Sequence, residues 1–316
     1  MVVRLNYATS VFCLSTPENP LHGMALFLAY IPKWIDTLFY KFPYHEQLIP
    51  QSGNLVSIME FFPAKLNDQN YHQWREQKLA SANRSAQSRL IHIKNAASLR
   101  DSERNSIITD CLHHNFALYQ FDDLSQNKKT AVHAFATQLG LQSLDGNICA
   151  DQDQLTSITV TKHKGQHDYI PYTPKKLSWH TDGYYNTKGR QINGMLLHCA
   201  NPAAQGGESW LMDHELAYLL LRDENPEYIN ALFAEDALTI PANIINGEVI
   251  RAAQTGPVFS VNEDGKLHMR YSARLRNIEW KDDILVTEAT EFLQQLWQDG
   301  SAFIVKHTLQ AGQGVV

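Results

Sequence analysis

The sequence predicts a mainly β chain with flanking helices, an α+β arrangement built around a jelly-roll core. Three observations carry that expectation. Short alternating or apolar segments recur from residue 155 onward, each bounded by turn residues. Helical signals interrupt these strands irregularly, which fits a jelly roll better than a βαβ sheet. There is no internal repeat and no glycine-rich phosphate loop.

Residues 1–84 read as an N-terminal extension of unassigned role. They are rich in aromatics (Phe27, Tyr30, Trp34, Phe39, Tyr40, Phe42, Tyr44), are broken by Pro20, Pro32, Pro43 and Pro50, and show no ligand spacing. A packed cover over the main domain, a dimer contact and a substrate lid are the readings of this stretch. The polar run Ala80–Ser88 reads as a linker into a domain spanning 85–316.

That domain opens with a strand at Leu90–Ile93. A helix follows, capped at Asp101 or Ser102, with Ile107, Ile108, Cys111 and Leu112 on its apolar side. Phe116–Phe121 reads as a strand, and 127–139 as a helix burying Val132, Phe135 and Leu139 and stopped by Gly140. Strands are expected at Leu155–Thr161, Ile192–Cys199, Glu208–Met212 and Ala302–Leu309. Gly256–Val261 and Lys266–Tyr271 flank Asn-Glu-Asp-Gly, a hairpin turn signal. Asp213 caps one helix, Asn225-Pro226 opens another, and a third occupies about 284–298.

The chain has 316 residues, 44% of them hydrophobic and 19% charged, so a sizeable core is within reach. A net charge of −6 with no basic stripe argues against a nucleic-acid partner. Cys13, Cys111, Cys149 and Cys199 form no CxxC pair and read as free thiols of a reducing compartment. The longest apolar run, Met24 to Ile31, is too short to span a bilayer, and no secretory signal opens the chain. The expectation is a cytoplasmic protein with a small-molecule substrate and no nucleic-acid or membrane partner. The aromatic N-terminal stretch makes a homodimer plausible.

The most informative segment is Trp179-His-Thr-Asp-Gly-Tyr-Tyr185. His180 and Asp182 lie two residues apart, so on an extended strand both side chains leave the same face. An imidazole nitrogen beside a carboxylate oxygen is two thirds of the 2-His-1-carboxylate set that holds non-haem Fe(II). An isolated His-x-Asp is more often a surface hydrogen bond. Here Trp179, Tyr184 and Tyr185 supply an aromatic wall, and Met195–Cys199 an apolar floor. His198 lies one residue off the apolar alternation and reads as a core histidine with a backbone partner.

His180-Thr-Asp-Gly-Tyr-Tyr, then Leu197-His-Cys, then Gly206-Gly-Glu-Ser-Trp-Leu-Met-Asp213 resembles the TauD/TfdA family of Fe(II)/2-oxoglutarate-dependent dioxygenases. In order and spacing it also resembles the γ-butyrobetaine hydroxylase branch. The resemblance runs from about residue 85 to the end and is specific in the middle. It implies a double-stranded β-helix, with His180 and Asp182 as iron ligands and catalytic centre. It implies Fe(II), 2-oxoglutarate and O2 as cofactor and co-substrates, and hydroxylation of a small molecule with release of succinate and CO2. Ser209 then stands where the family carries a hydroxyl that hydrogen-bonds the 2-oxoglutarate carboxylate. Without the family, Gly206-Gly207 is a strand-entry turn, and Asp213 needs no role beyond its cap.

His268-Met-Arg-Tyr-Ser-Ala-Arg-Leu-Arg276 carries three arginines within seven residues. A solvated face would account for them. In the look-alikes this stretch borders the substrate pocket, so Arg270 and Arg274, with Tyr184, are the expected contacts to an anionic substrate. Related hydroxylases carry asparagines near Ser272 and Ala273, and this chain does not.

The family's distal histidine follows a turn that corresponds here to Gln310–Val316. The third iron ligand and the arginine for 2-oxoglutarate are therefore expected beyond Val316, the sequence being read as C-terminally truncated and lacking its last strand or strands. Within the chain, His307 and His268 are substitutes better explained as structural. The alternative functional reading is a catalytically incomplete relative that acts as a ligand-binding or regulatory protein.

Overall fold

The computed structural model describes residues 11–15, 24–29, 70–85, 89–145, 150–160, 169–262, 265–274, 276, 278–298 and 301–316. Cys149 and most of residues 1–69 lie outside them. In chain order the elements are β1 (Val11–Ser15), β2 (Met24–Ala29), α1 (Tyr71–Ser85), β3 (Leu90–Ile93), α2 (Asp101–His114), β4 (Leu118–Phe121) and α3 (Lys129–Gln138). Next come β5 (Thr156–Ile158), β6 (Gly194–Cys199), β7 (Glu208–Met212), α4 (His214–Glu224), α5 (Pro226–Leu232), β8 (Leu238–Ile240), β9 (Asn243–Ile245) and β10 (Glu248–Arg251). The series ends with β11 (Gln254–Gly256), β12 (Phe259–Val261), β13 (Leu267–Met269), β14 (Glu279–Trp280), α6 (Ile284–Gln298), β15 (Val305–Thr308) and β16 (Gln313–Val315).

The largest sheet has the order β3-β4-β16-β6-β2-β5, and a second has the order β1-β7-β15. Period-two alternation in the large sheet sends Leu118, Leu197 and Val315 to one face and Tyr119, Leu196 and Val316 to the other. The first set packs on Leu211 and Val305 of the second sheet and on Leu309. The second set is covered by α2 and α3 through Ile107, Cys111, Val132 and Phe135. β16 fits between β4 and β6 because Gly314 has no Cβ. A methyl there would collide with the Tyr119 ring and the Leu197 carbonyl.

The remaining strands form three small sheets, β11-β8-β14, β12-β13 and β10-β9. The architecture is therefore a mixed α/β one whose two larger sheets are stacked. Among the described residues the strands do not close into the expected barrel. The small sheets share no strand with the large ones, so no continuous hydrogen-bonded circuit forms. Around them α1, α4, α5 and α6 assemble a third apolar cluster that includes Trp74, Tyr218, Phe259, Leu293 and Trp297.

The run expected to be a linker is helical as far as Ser85. The physical reason is tertiary. Trp74 and Ala82 are buried, and the Lys78 ammonium is buried against the Asp213 carboxylate at 2.6 Å and against Glu215. Asn115 donates to Asp213 at 2.7 Å and to Glu215 at 3.1 Å, so α1, α2 and α4 meet at one charged knot. Both carboxylates sit at the N-terminus of α4, where the helix dipole favours them, and Asp213 accepts the Glu215 N–H at 2.8 Å as the expected cap. β1 and β2, from the stretch expected to be an extension, pair with β7 and with β5 and β6.

Other elements differ in detail. The cap of α2 is Arg100, whose N–H reaches the Glu103 carboxylate at 3.0 Å, and Leu112 is exposed rather than core-facing. His198 is buried, but its partners are side chains rather than backbone: the Tyr119 hydroxyl at 3.0 Å and the Asn127 amide oxygen at 2.5 Å. Cys111 and Cys199 are buried thiols in no disulfide among the described residues. No helix among the described residues is long and apolar enough to cross a membrane.

Two stability predictions follow from these contacts. Lys78→Ala leaves two buried carboxylates without their cation, and should cost roughly 3–5 kcal/mol in urea unfolding. Burial also holds three histidines neutral, pushing His198 and His114 down to about 4 and His268 to about 3. Below the ordinary histidine pKa of about 6.5 the unfolded chain takes up protons that the folded chain refuses. Stability is therefore full above that pH and should fall steadily as pH drops toward 4, read as a declining melting temperature.

Candidate active site

The segment carrying His180 is pinned against the end of β13. Thr181 N–H donates to the Tyr271 carbonyl at 2.9 Å, Tyr271 N–H donates to Thr181 Oγ1 at 3.0 Å, and Ala273 N–H donates to the Trp179 carbonyl at 2.7 Å. His180 bridges Ser272 in antiparallel fashion. Thr181 is buried, and His180 and Asp182 emerge together from the other side with side chains 14% and 18% exposed.

His180 Nδ1 lies 2.8 Å from the Ser178 carbonyl, which fixes a proton on that nitrogen. The Nε2 atom is left free and lies 3.5 Å from Asp182 Oδ1. Burial alone would lower the His180 pKa, but the hydrogen bond and charge of Asp182 outweigh it and raise it. An imidazole nitrogen and a carboxylate oxygen side by side are two donors that a divalent cation could share. A nitrogen and an oxygen donor with one tautomer held by the backbone suit Fe(II). Among the described residues no third His, Cys, Asp or Glu joins them in a metal-binding group. His307 Nε2 lies 2.9 Å from Gln313 Oε1, and His268 is buried beside Gln191 at 3.3 Å.

The walls are aromatic. Trp179 stacks on Trp297 with ring centroids 4.8 Å apart, and Trp297 Nε1 donates to the Tyr271 hydroxyl at 3.1 Å. The Tyr184 ring lies edge-on to His180 at 6.4 Å, with Tyr185 packed at 5.2 Å behind it. The turn that delivers both tyrosines needs Gly183. Its φ is +67°, and a Cβ there would strike the Ile192 side chain.

The two arginines expected at the substrate separate in role. Arg274 Nη1 donates to the Tyr184 hydroxyl at 3.2 Å and lies close enough to His180 to oppose its protonation. Arg270 is buried and donates to four main-chain carbonyls, those of Tyr184 (2.7 Å), Leu238 (3.0 Å), Gly256 (3.3 Å) and Gln254 (2.7 Å). Burial pushes its guanidinium down to about 10. This geometry makes Arg270 a brace under Tyr184 rather than a contact to an anion. Ser209, on β7 opposite His307, has a buried hydroxyl with no hydrogen-bond partner among the described residues. An orphaned donor of that kind suits a buried carboxylate.

Arg251 was not singled out in the sequence. The signal for Arg251 was nonetheless there: Asn246-Gly247 between apolar residues marks the β9–β10 hairpin that carries it.

Residues 82–316 match the family described as taurine catabolism dioxygenase TauD, TfdA family. The chain belongs to this family. Among curated proteins it is similar to a uridine-5'-phosphate dioxygenase of Streptomyces sp, with 33% identity over 125 residues, 38% of this chain and 43% of that protein. A uridine-5'-phosphate dioxygenase of Amycolatopsis sp is 35% identical over 98 residues, 30% of this chain and 33% of that protein. The matched stretch covers less than half the length of either relative.

If His180 and Asp182 are the donor pair of this TauD/TfdA chain, Asp182→Ala should abolish Fe(II) binding while leaving the melting temperature of the metal-free protein nearly unchanged. Unaltered Fe(II) affinity in calorimetry would remove Asp182 from the site.

Proposed function

We propose that this chain is an Fe(II)/2-oxoglutarate-dependent dioxygenase that hydroxylates a small anionic molecule and releases succinate and CO2. The observation that carries the reading is the free Nε2 of His180 beside the Asp182 carboxylate, inside the stretch that matches the family. When bound, Fe(II), 2-oxoglutarate and O2 would supply the oxidising chemistry that places oxygen on an unactivated carbon.

The chain's own residues do the rest. Ser178 holds the His180 tautomer, and Thr181 locks the register that turns both donors to one side. Ser209 would donate its unpartnered hydroxyl to the 2-oxoglutarate carboxylate. Tyr184 and Tyr185 exclude water from the reacting carbon. Arg274, anchored on Tyr184, would pair with the negative charge of the substrate. The relatives' names favour a nucleoside monophosphate over γ-butyrobetaine as the substrate class. The absence of asparagine at Ser272 and Ala273 points the same way.

The test is succinate release from 2-oxoglutarate with Fe(II), in the presence of uridine 5'-monophosphate, uridine or γ-butyrobetaine. Stimulation by the nucleotide above that by the other two is expected. A chain that binds Fe(II) yet releases no succinate with any of them would instead be a ligand-binding relative.

A further inference from the structure

We propose that Arg251 is a substrate-anion-binding residue, gripping the phosphate-type group of the substrate beside Tyr185. The proposal rests on the dioxygenase reading and names a specificity residue for it.

Arg251 closes the β9–β10 hairpin, next to a register irregularity between Val249 and Arg251. Its Nη2 donates to the Pro241 carbonyl at 3.0 Å, which fixes the guanidinium. Its Nη1 is buried and has no acceptor among the described residues. A buried donor without a partner is costly unless something fills the gap. The guanidinium lies 5.6 Å from the centre of the Tyr185 ring. Tyr185 in turn feels the Asp182 carboxylate, which helps burial hold its hydroxyl protonated. Tyr185 packs on Tyr184, whose ring lies edge-on to His180, so Arg251 stands behind the tyrosine pair that borders the proposed donors.

The surrounding charge points to an anion. Arg251, Arg270 and Arg274 converge on Tyr184 and Tyr185, and none of them is ion-paired with a carboxylate among the described residues. Asp145, the other nearby acid, is paired with Arg190 and receives Asn186 at 3.0 Å. Arg270 has committed its donors to carbonyls, so Arg251 Nη1 and Arg274 are the cations free to meet a ligand. Two guanidinium groups held at adjacent tyrosines, Arg251 by Tyr185 and Arg274 by Tyr184, suit a dianionic oxygen cluster such as a phosphate monoester better than a single carboxylate.

The experiment is calorimetric titration of the full chain with uridine 5'-monophosphate and with uridine, for the parent, Arg251→Gln and Arg251→Lys. The parent should bind the nucleotide more tightly than the nucleoside. Arg251→Gln should weaken nucleotide binding by roughly 10-fold or more and leave nucleoside binding unchanged, since a charge-assisted hydrogen bond is lost. Arg251→Lys should fall between, keeping charge without the fork. Equal weakening for both ligands, no weakening, or a parent that does not discriminate would overturn the proposal. If the glutamine variant melts far below the parent, the lysine variant decides by the same comparison. Succinate release is scored separately. Discrimination by Arg251 without succinate would sink the dioxygenase activity and leave the anion site standing.

Discussion

The antiparallel zip between Trp179–Thr181 and Tyr271–Ala273 is the constraint on which the site depends. Three hydrogen bonds set its register, one of them made by the Thr181 side chain. Because side chains alternate, a slip of one residue would bury His180 and Asp182 and turn Thr181 outward. The same zip places Tyr271 under Trp297 and brings Arg274 to Tyr184, so the proposed metal donors, the nearby aromatic rings and the cation all follow from one local pairing.

A second organising feature is the handling of buried charge. At the N-terminus of α4, Lys78 meets two carboxylates and Asn115, and every member has a partner. Around Tyr184 and Tyr185 the cations pair with no carboxylate among the described residues: Arg270 meets carbonyl dipoles there, and Arg251 keeps one donor without an acceptor. The contrast is between a knot that holds helices together and a cluster proposed to be a ligand site.

Much of the element pattern was legible because local signals were strong. Glu208–Met212 and residues 284–298 are found where alternation and helical period put them, and Asp213 and Asn225 cap the helices they precede. The helix through Ala80–Ser85 was not legible. Its polar composition suggests a linker, and only the burial of Trp74, Lys78 and Ala82 against distant elements makes it helical. β8 to β11 were missed because three- and four-residue strands give too little periodicity to read. The expected barrel rested on short strands with inserted helices and on family likeness, whereas closure depends on which edges find partners.

The sequence alone determined that His180 and Asp182 share a face, since the period of an extended chain is a local property. It also placed Ser209 on a strand and arginines near the site. Which arginine is enclosed by main-chain carbonyls was decided only by the tertiary structure. Arg270 and Arg274 are equivalent in sequence, four residues apart, yet one is enclosed by the carbonyls of Tyr184, Leu238, Gln254 and Gly256 and the other is not. Those carbonyls come from strands and turns remote in sequence. A guanidinium's role is set by the acceptors that surround it, and no local pattern contains them.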